Sequence, residues 1–191
     1  MADRYKCFAE LAANERLGID YRICVEDRGA PLVVFAPHGG WIEPNTSEIA
    51  EAVAGLDFSF YAFEGLENRP HTDLHITSHR FDEPTAIDIV GRCHYAVAIH
   101  GRKDNGDESV WLGGRDAELH DAIGSSLREA GFDADFNQRL PGTELTNICN
   151  RTLSRKGVQL ELPRSLRRKL ARDTSLRETF CEAVRSGLPS T

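Results

Sequence analysis

The chain has 191 residues, 40% of them hydrophobic and 28% charged. That is enough for one domain with a sizeable core, and it excludes a disordered or fibrous protein. The formal net charge of −7 argues against a protein that coats nucleic acid, so no nucleic-acid partner is expected. No apolar run approaches the roughly 20 residues needed to span a bilayer, and no apolar segment follows Met1-Ala2-Asp3-Arg4-Tyr5-Lys6 as in a signal peptide. Cytoplasmic synthesis without a membrane partner is therefore expected. The five cysteines are scattered, odd in number and without a C-x-x-C pair, which predicts reduced and mostly buried thiols.

Short apolar runs alternate with helical patterns, and no repeat or linker interrupts them. This predicts a single α/β domain over residues 1–191, with a mixed, mostly parallel sheet flanked by helices. Residues 5–14 read as a first helix, with Phe8, Leu11 and Ala12 on one face. Leu32-Val33-Val34-Phe35-Ala36 is a continuous run of β-formers, as in a strand buried on both faces. Asn45-Thr46-Ser47-Glu48 has the form of a capping box with Asn45 as the cap. It opens a helix carrying Ile49, Ala52 and Val53 that stops at Gly55. Strands are expected at 58–63, 74–78, 95–99 and, shorter, 109–112. Residues 116–130 form the clearest amphipathic helix, with Leu119, Ile123, Leu127 and Ala130 on one stripe and Gly131 as its stop. Val158-Gln159-Leu160-Glu161-Leu162 alternates as a half-buried strand does. Residues 165–185 read as two helices broken near Asp173-Thr174, and 187–191 as a frayed tail.

Three polar residues fall at the carboxyl ends of predicted strands: His38 after 32–36, His100 after 95–99, and Glu161 at the end of 158–160. In open α/β sheets the ligand crevice lies along that edge, so the three can converge there. The two glycines in His38-Gly39-Gly40-Trp41-Ile42-Glu43 allow a tight turn that leaves His38 and Glu43 facing one point. His38, Glu43 and His100 then supply two imidazoles and a carboxylate. That is the three-ligand set of a catalytic zinc site, with one Zn2+ expected per chain. For any one of these residues a hydrogen-bonded turn or strand end is the commoner role; the combination favours metal. His71, His75 and His79 recur every four residues, and His75 would sit within the 74–78 strand. It either supports a ligand, faces substrate, or is a buried histidine with its bonds satisfied. His94 and His120 read as ordinary surface or helix residues.

From Arg151 to Arg172 eight basic residues stand against one acid, Glu161. A solvated face is the default for such a run. Arg151 and Arg164, however, flank the expected crevice, and a guanidinium forks a carboxylate well, which points to an anionic ligand.

Several motifs occur together in order. They are Ala36-Pro37-His38-Gly39-Gly40-Trp41-Ile42-Glu43-Pro44, Leu74-His75-Ile76-Thr77-Ser78 with Phe81-Asp82-Glu83-Pro84, Ile99-His100-Gly101, Asn147-Ile148-Cys149-Asn150-Arg151, and Gly157-Val158-Gln159-Leu160-Glu161-Leu162-Pro163-Arg164. The chain resembles, from about residue 5 to 168, the poly-γ-glutamate hydrolases first known from phages of capsule-forming bacilli. The resemblance implies a zinc hydrolase with a carboxypeptidase A-like core, its metal held by His38, Glu43 and His100. Glu161 matches the catalytic glutamate, taking the proton of water and passing it to the leaving amine. Arg151, Arg164 and His75 would bind the substrate, an anionic polypeptide, poly-γ-glutamate. The five positions from His38 to Glu43 depart from the closer His-x-x-Glu spacing of metallocarboxypeptidases. A monomer is expected, released by host lysis if phage-encoded. Two other readings compete: a zinc amidohydrolase acting on a small N-acyl amino acid, and a non-catalytic binder of an anionic polymer.

Overall fold

The structure is a computed structural model that describes residues 2–189. Strands β1 (Tyr21–Glu26), β2 (Leu32–Gly40), β3 (Ser59–Gly65), β4 (Tyr95–Arg102), β5 (Val110–Gly114), β6 (Ala134–Phe136) and β7 (Val158–Pro163) form one sheet in the order β1-β3-β2-β4-β7-β5-β6. The inner pairs β3–β2, β2–β4 and β4–β7 are parallel, as is β5–β6, while β1–β3 and β7–β5 are antiparallel. The expected α/β class with a mixed, mostly parallel sheet is what forms.

Both faces of the sheet are covered, which is why its central strands read as unbroken apolar runs. Leu32, Val34 and Ala36 of β2 point to one core with α2 (Thr46–Ala54), α4 (Ala117–Glu129), α5 (Arg164–Arg172) and α6 (Thr174–Ser186). Val33 and Phe35 point to the other, shared with α1 (Phe8–Asn14), α3 (Pro84–Arg92) and the 74–81 segment. Among the described residues no helix is long and apolar enough to cross a membrane. Cys93, Cys149 and Cys181 are buried and Cys7 and Cys24 half-buried, all unpaired.

Several expectations need correction. No strand forms at 74–78: His71–Asp73 makes one 3-10 turn and the chain continues irregularly. Leu74 and Ile76 still enter the core, but β3 already has β1 and β2 as partners, so no ladder position is open there. The capping box is also absent. Asn45 is left-handed (φ 75°) and caps nothing with its side chain, because the turn brings Glu43 back so that its N–H donates to His38 O at 2.8 Å. β7 is wholly buried rather than half-buried, since β4 and β5 flank it. His120 is a helix residue, in α4, and is buried there against Phe136. In the 187–191 tail, Leu188 packs on the core and Gly187 lies close against α4 at Ile123; 190–191 lie outside the described residues.

Candidate active site

β2, β4 and β7 run side by side and in parallel, so their carboxyl ends open into one cleft of about 1090 Å³. His38 lies within β2 rather than after it. The register with β3 shifts between Ala36 and Gly39, where Pro37 has no N–H to give the ladder. Such a bulge re-aims the neighbouring side chain, here the imidazole. Gly40 then turns with φ 61°, and a Cβ there would strike Gly65 O on β3, so glycine is required. His100 and Glu161 are cross-strand partners at the ends of β4 and β7.

The three donor groups meet. His38 Nδ1 lies 3.2 Å from His100 Nδ1 and 3.4 Å from Glu43 Oε1, and His100 Nδ1 lies 3.6 Å from Glu43 Oε2. Ligands at about 2.1 Å around a tetrahedral zinc stand about 3.4 Å apart, so these separations fit one ion. His38 Nε2 is 2.8 Å from Ile76 O. Donation there places the proton on Nε2 and leaves the Nδ1 lone pair facing the other two donors. Ser78 Oγ, 3.4 Å away, holds His100 Nε2, and Gly101 N–H donates to Glu43 Oε2 at 2.8 Å. His75 offers a further donor: its atom and those of His38 and Glu43 all lie within 4.8 Å of one another.

The charges are set by burial and by each other. Burial alone would raise the Glu43 pKa, but the imidazoles of His38, His100 and His71 around it outweigh burial and hold Glu43 well below the usual carboxylate range. Burial pushes Glu161 up to about 7, against the pull of His100. His100 is raised by Glu161 and Glu43 although burial opposes this. Burial, with the neighbouring His38 imidazole, lowers His75 to about 3.

Other expected site residues divide. Arg164 lines the cleft, but Arg151 does not; its Nε donates to Thr146 O at 2.9 Å, bracing the preceding loop. Of the basic run only Arg164 and Arg167 face the cleft, because Arg155 and Lys156 precede β7 at its opposite end. Arg69, Arg102, Lys103 and Arg139 supply the remaining positive charge. His75 lines the cleft between His38 and His71, its ring tilted against both with centroids 4.1 and 4.3 Å apart. Its Nδ1 lies 2.7 Å from Asp3 Oδ1, while Asp3 Oδ2 accepts from Thr77 N–H at 2.9 Å. Gln159, within the Gly157–Arg164 motif but given no role there, donates through Nε2 to Glu161 Oε1 at 3.3 Å, and Asp3 lies in no motif.

Residues 5–183 match the family described as poly-γ-glutamate hydrolase. The chain belongs to the poly-γ-glutamate hydrolase family. Membership makes it a hydrolase, and the ordered motifs noted above mark a true kinship. The SPbeta prophage-derived protein YoqZ of Bacillus subtilis (strain 168) is 37% identical over 97% of this chain and 66% of its own length. The chain spans about two thirds of the length of the curated relatives it matches, from 66% to 71%. Among solved structures, a bacteriophage poly-γ-glutamate hydrolase superposes with a TM-score of 0.93 at 33% identity, over 97% of this chain and 96% of that one. YndL in its zinc-free form gives 0.86 at 33% identity, with 95% of each chain covered.

Proposed function

We propose that this chain hydrolyses γ-glutamyl amide bonds of poly-γ-glutamate, using one zinc ion held by His38, Glu43 and His100 and using Glu161 as the general base. The observation that carries this reading is the donor triad itself. Two imidazole nitrogens and a carboxylate stand 3.2 to 3.6 Å apart at the floor of a basic cleft, with Glu161 on the adjoining strand. The Ile76 carbonyl, which turns His38 Nδ1 toward the other two donors, and the low pKa of Glu43 leave these groups placed to donate lone pairs. The relative whose structure is described as zinc-free supports zinc as the metal. Bound zinc would polarise the scissile carbonyl and acidify water toward a pKa of about 7.

The protein supplies the rest. Glu161, hydrogen-bonded on one oxygen by Gln159, accepts a proton from water as the water oxygen bonds to the γ-carbonyl carbon. As the C–N bond breaks, Glu161 returns that proton to the leaving amine, giving a γ-carboxylic acid, which keeps the second proton of the water, and a free α-amine. A carboxyl raised to about 7 both takes and releases a proton near neutrality. Each residue of the polymer carries a free carboxylate, which Arg164 and Arg139 on the cleft wall are placed to fork. Trp41, half exposed at the rim, offers a face to the methylene pairs between them. His75, tethered by Asp3, closes the wall beside His38.

Purified protein incubated with poly-γ-glutamate should shorten the polymer, stop after exhaustive chelation, and resume on adding zinc. Unchanged chain length, or cleavage indifferent to chelation, would contradict the proposal.

A further inference from the structure

Arg167 is a buried cation, 4% exposed, on the inward face of α5. No carboxylate lies within ion-pair distance of it among the described residues. Its donors go to backbone instead. Nε donates to Leu162 O at 3.2 Å, Nη2 to Arg102 O at 3.4 Å, and Nη1 to Pro44 O. Each carbonyl belongs to a segment carrying a group of the proposed site. Pro44 directly follows Glu43, Leu162 directly follows Glu161, and Arg102 stands two residues after His100. The contact is close: a Cβ on Gly101 would fall 2.5 Å from Arg167 Cζ, so glycine beside His100 is what admits the guanidinium.

We infer that Arg167 is a positioning residue, whose single planar fork ties together the turn that carries Glu43 and the strand ends that carry His100 and Glu161 and so sets their mutual geometry. This rests on the zinc and general-base roles proposed above. Burying a charge with no carboxylate in contact is costly, even with Glu43, Glu161 and Asp104 acting on it from further away, and an apolar residue would join α5 to the sheet at least as well. What an apolar residue lacks is three diverging donors in one rigid plane. With its donors engaged by backbone, Arg167 has little left to offer a substrate carboxylate, unlike Arg164 at the start of the same helix. The positive charge seen in the sequence between Arg151 and Arg172 thus includes one cleft-lining residue whose donors are held by backbone carbonyls.

The test compares Arg167→Met, which keeps the volume, and Arg167→Lys, which keeps the charge but not the fork, with the unaltered chain. Three readouts are taken: thermal unfolding, zinc affinity by competition with a chromophoric chelator, and the absorption spectrum of the cobalt-substituted protein. Where a variant folds, zinc affinity should fall by about 10- to 100-fold and the cobalt spectrum should change. On poly-γ-glutamate, kcat should fall by about 10- to 100-fold with KM nearly unchanged. Unaltered metal affinity and spectrum in a folded variant would overturn the inference. So would a raised KM at constant kcat, which would mark a substrate-binding arginine, or failure of both variants to fold, which would assign Arg167 to the fold alone. An unaltered chain that binds zinc but leaves the polymer intact would sink the proposed function while the metal readouts still judge Arg167. One that binds no zinc would sink both.

Discussion

At the scale of single residues, metal ligands and general base differ in what their substitution removes. His100→Ala removes one donor of three, so zinc content measured by elemental analysis should drop well below one equivalent and turnover should vanish. Glu161→Gln is nearly isosteric and should keep zinc while losing about 10²- to 10⁴-fold in kcat; loss of zinc instead would make Glu161 a ligand. Its raised pKa has a stability consequence of definite sign. The Glu161 carboxyl sits at about 7 in the fold against 4.5 for an ordinary glutamate, so the buried charge weakens the metal-free fold as pH climbs between those values. Metal-free Glu161→Gln should therefore be more stable than the parent at pH 8 by about 1–3 kcal/mol and equal to it near pH 4, as denaturant midpoints would show. His38, Glu43, His100 and Glu161 were legible because each is tied to a strand end or a glycine turn. Asp3 and Arg167 were not, since a lone acid near the start and one arginine among eight basic residues carry no local pattern.

At the scale of elements, the site depends on segments that sequence periodicity treats poorly. Leu74-His75-Ile76-Thr77-Ser78 alternates like a strand, yet it is an irregular wall whose Ile76 carbonyl holds His38 and whose Ser78 hydroxyl meets His100. The polar 2–6 arm stitches this wall down through Asp3 and through Arg4 N–H to Thr72 O at 2.9 Å. Asp3→Ala should cost about 1–3 kcal/mol, the usual penalty for unpairing buried polar groups, measured by denaturant unfolding. At the other wall, Gly40→Ala meets both a positive φ and a backbone oxygen and should cost at least about 1–3 kcal/mol. The β1 and α3 elements escaped the sequence reading. β1 does alternate, with Tyr21, Ile23 and Val25 on one face and Arg22 and Glu26 on the other, while the α3 start rests on Glu83, whose carboxylate accepts from Thr85 and Ala86 N–H, ahead of Pro84. Pro at the first helical position was a usable signal there.

At the scale of the whole molecule, an acidic chain of net charge −7 presents a cleft with Arg69, Lys103, Arg139 and Arg164 on its walls. A polyanion is drawn to that contrast and a neutral amide is not. Affinity for long poly-γ-glutamate should fall steeply as salt rises, because exposed charges are screened beyond about 10 Å at 0.1 M, whereas a short neutral amide should respond little. Equal responses would mean the cleft charge plays no part in capture. The central claim, hydrolysis that needs one zinc at His38, Glu43 and His100, is tested most directly by adding zinc stepwise to metal-stripped protein while following the chain length of poly-γ-glutamate. The rate should rise in proportion to zinc and level off at one equivalent. Full activity before any zinc is added, or a rate that zinc never restores, would contradict it.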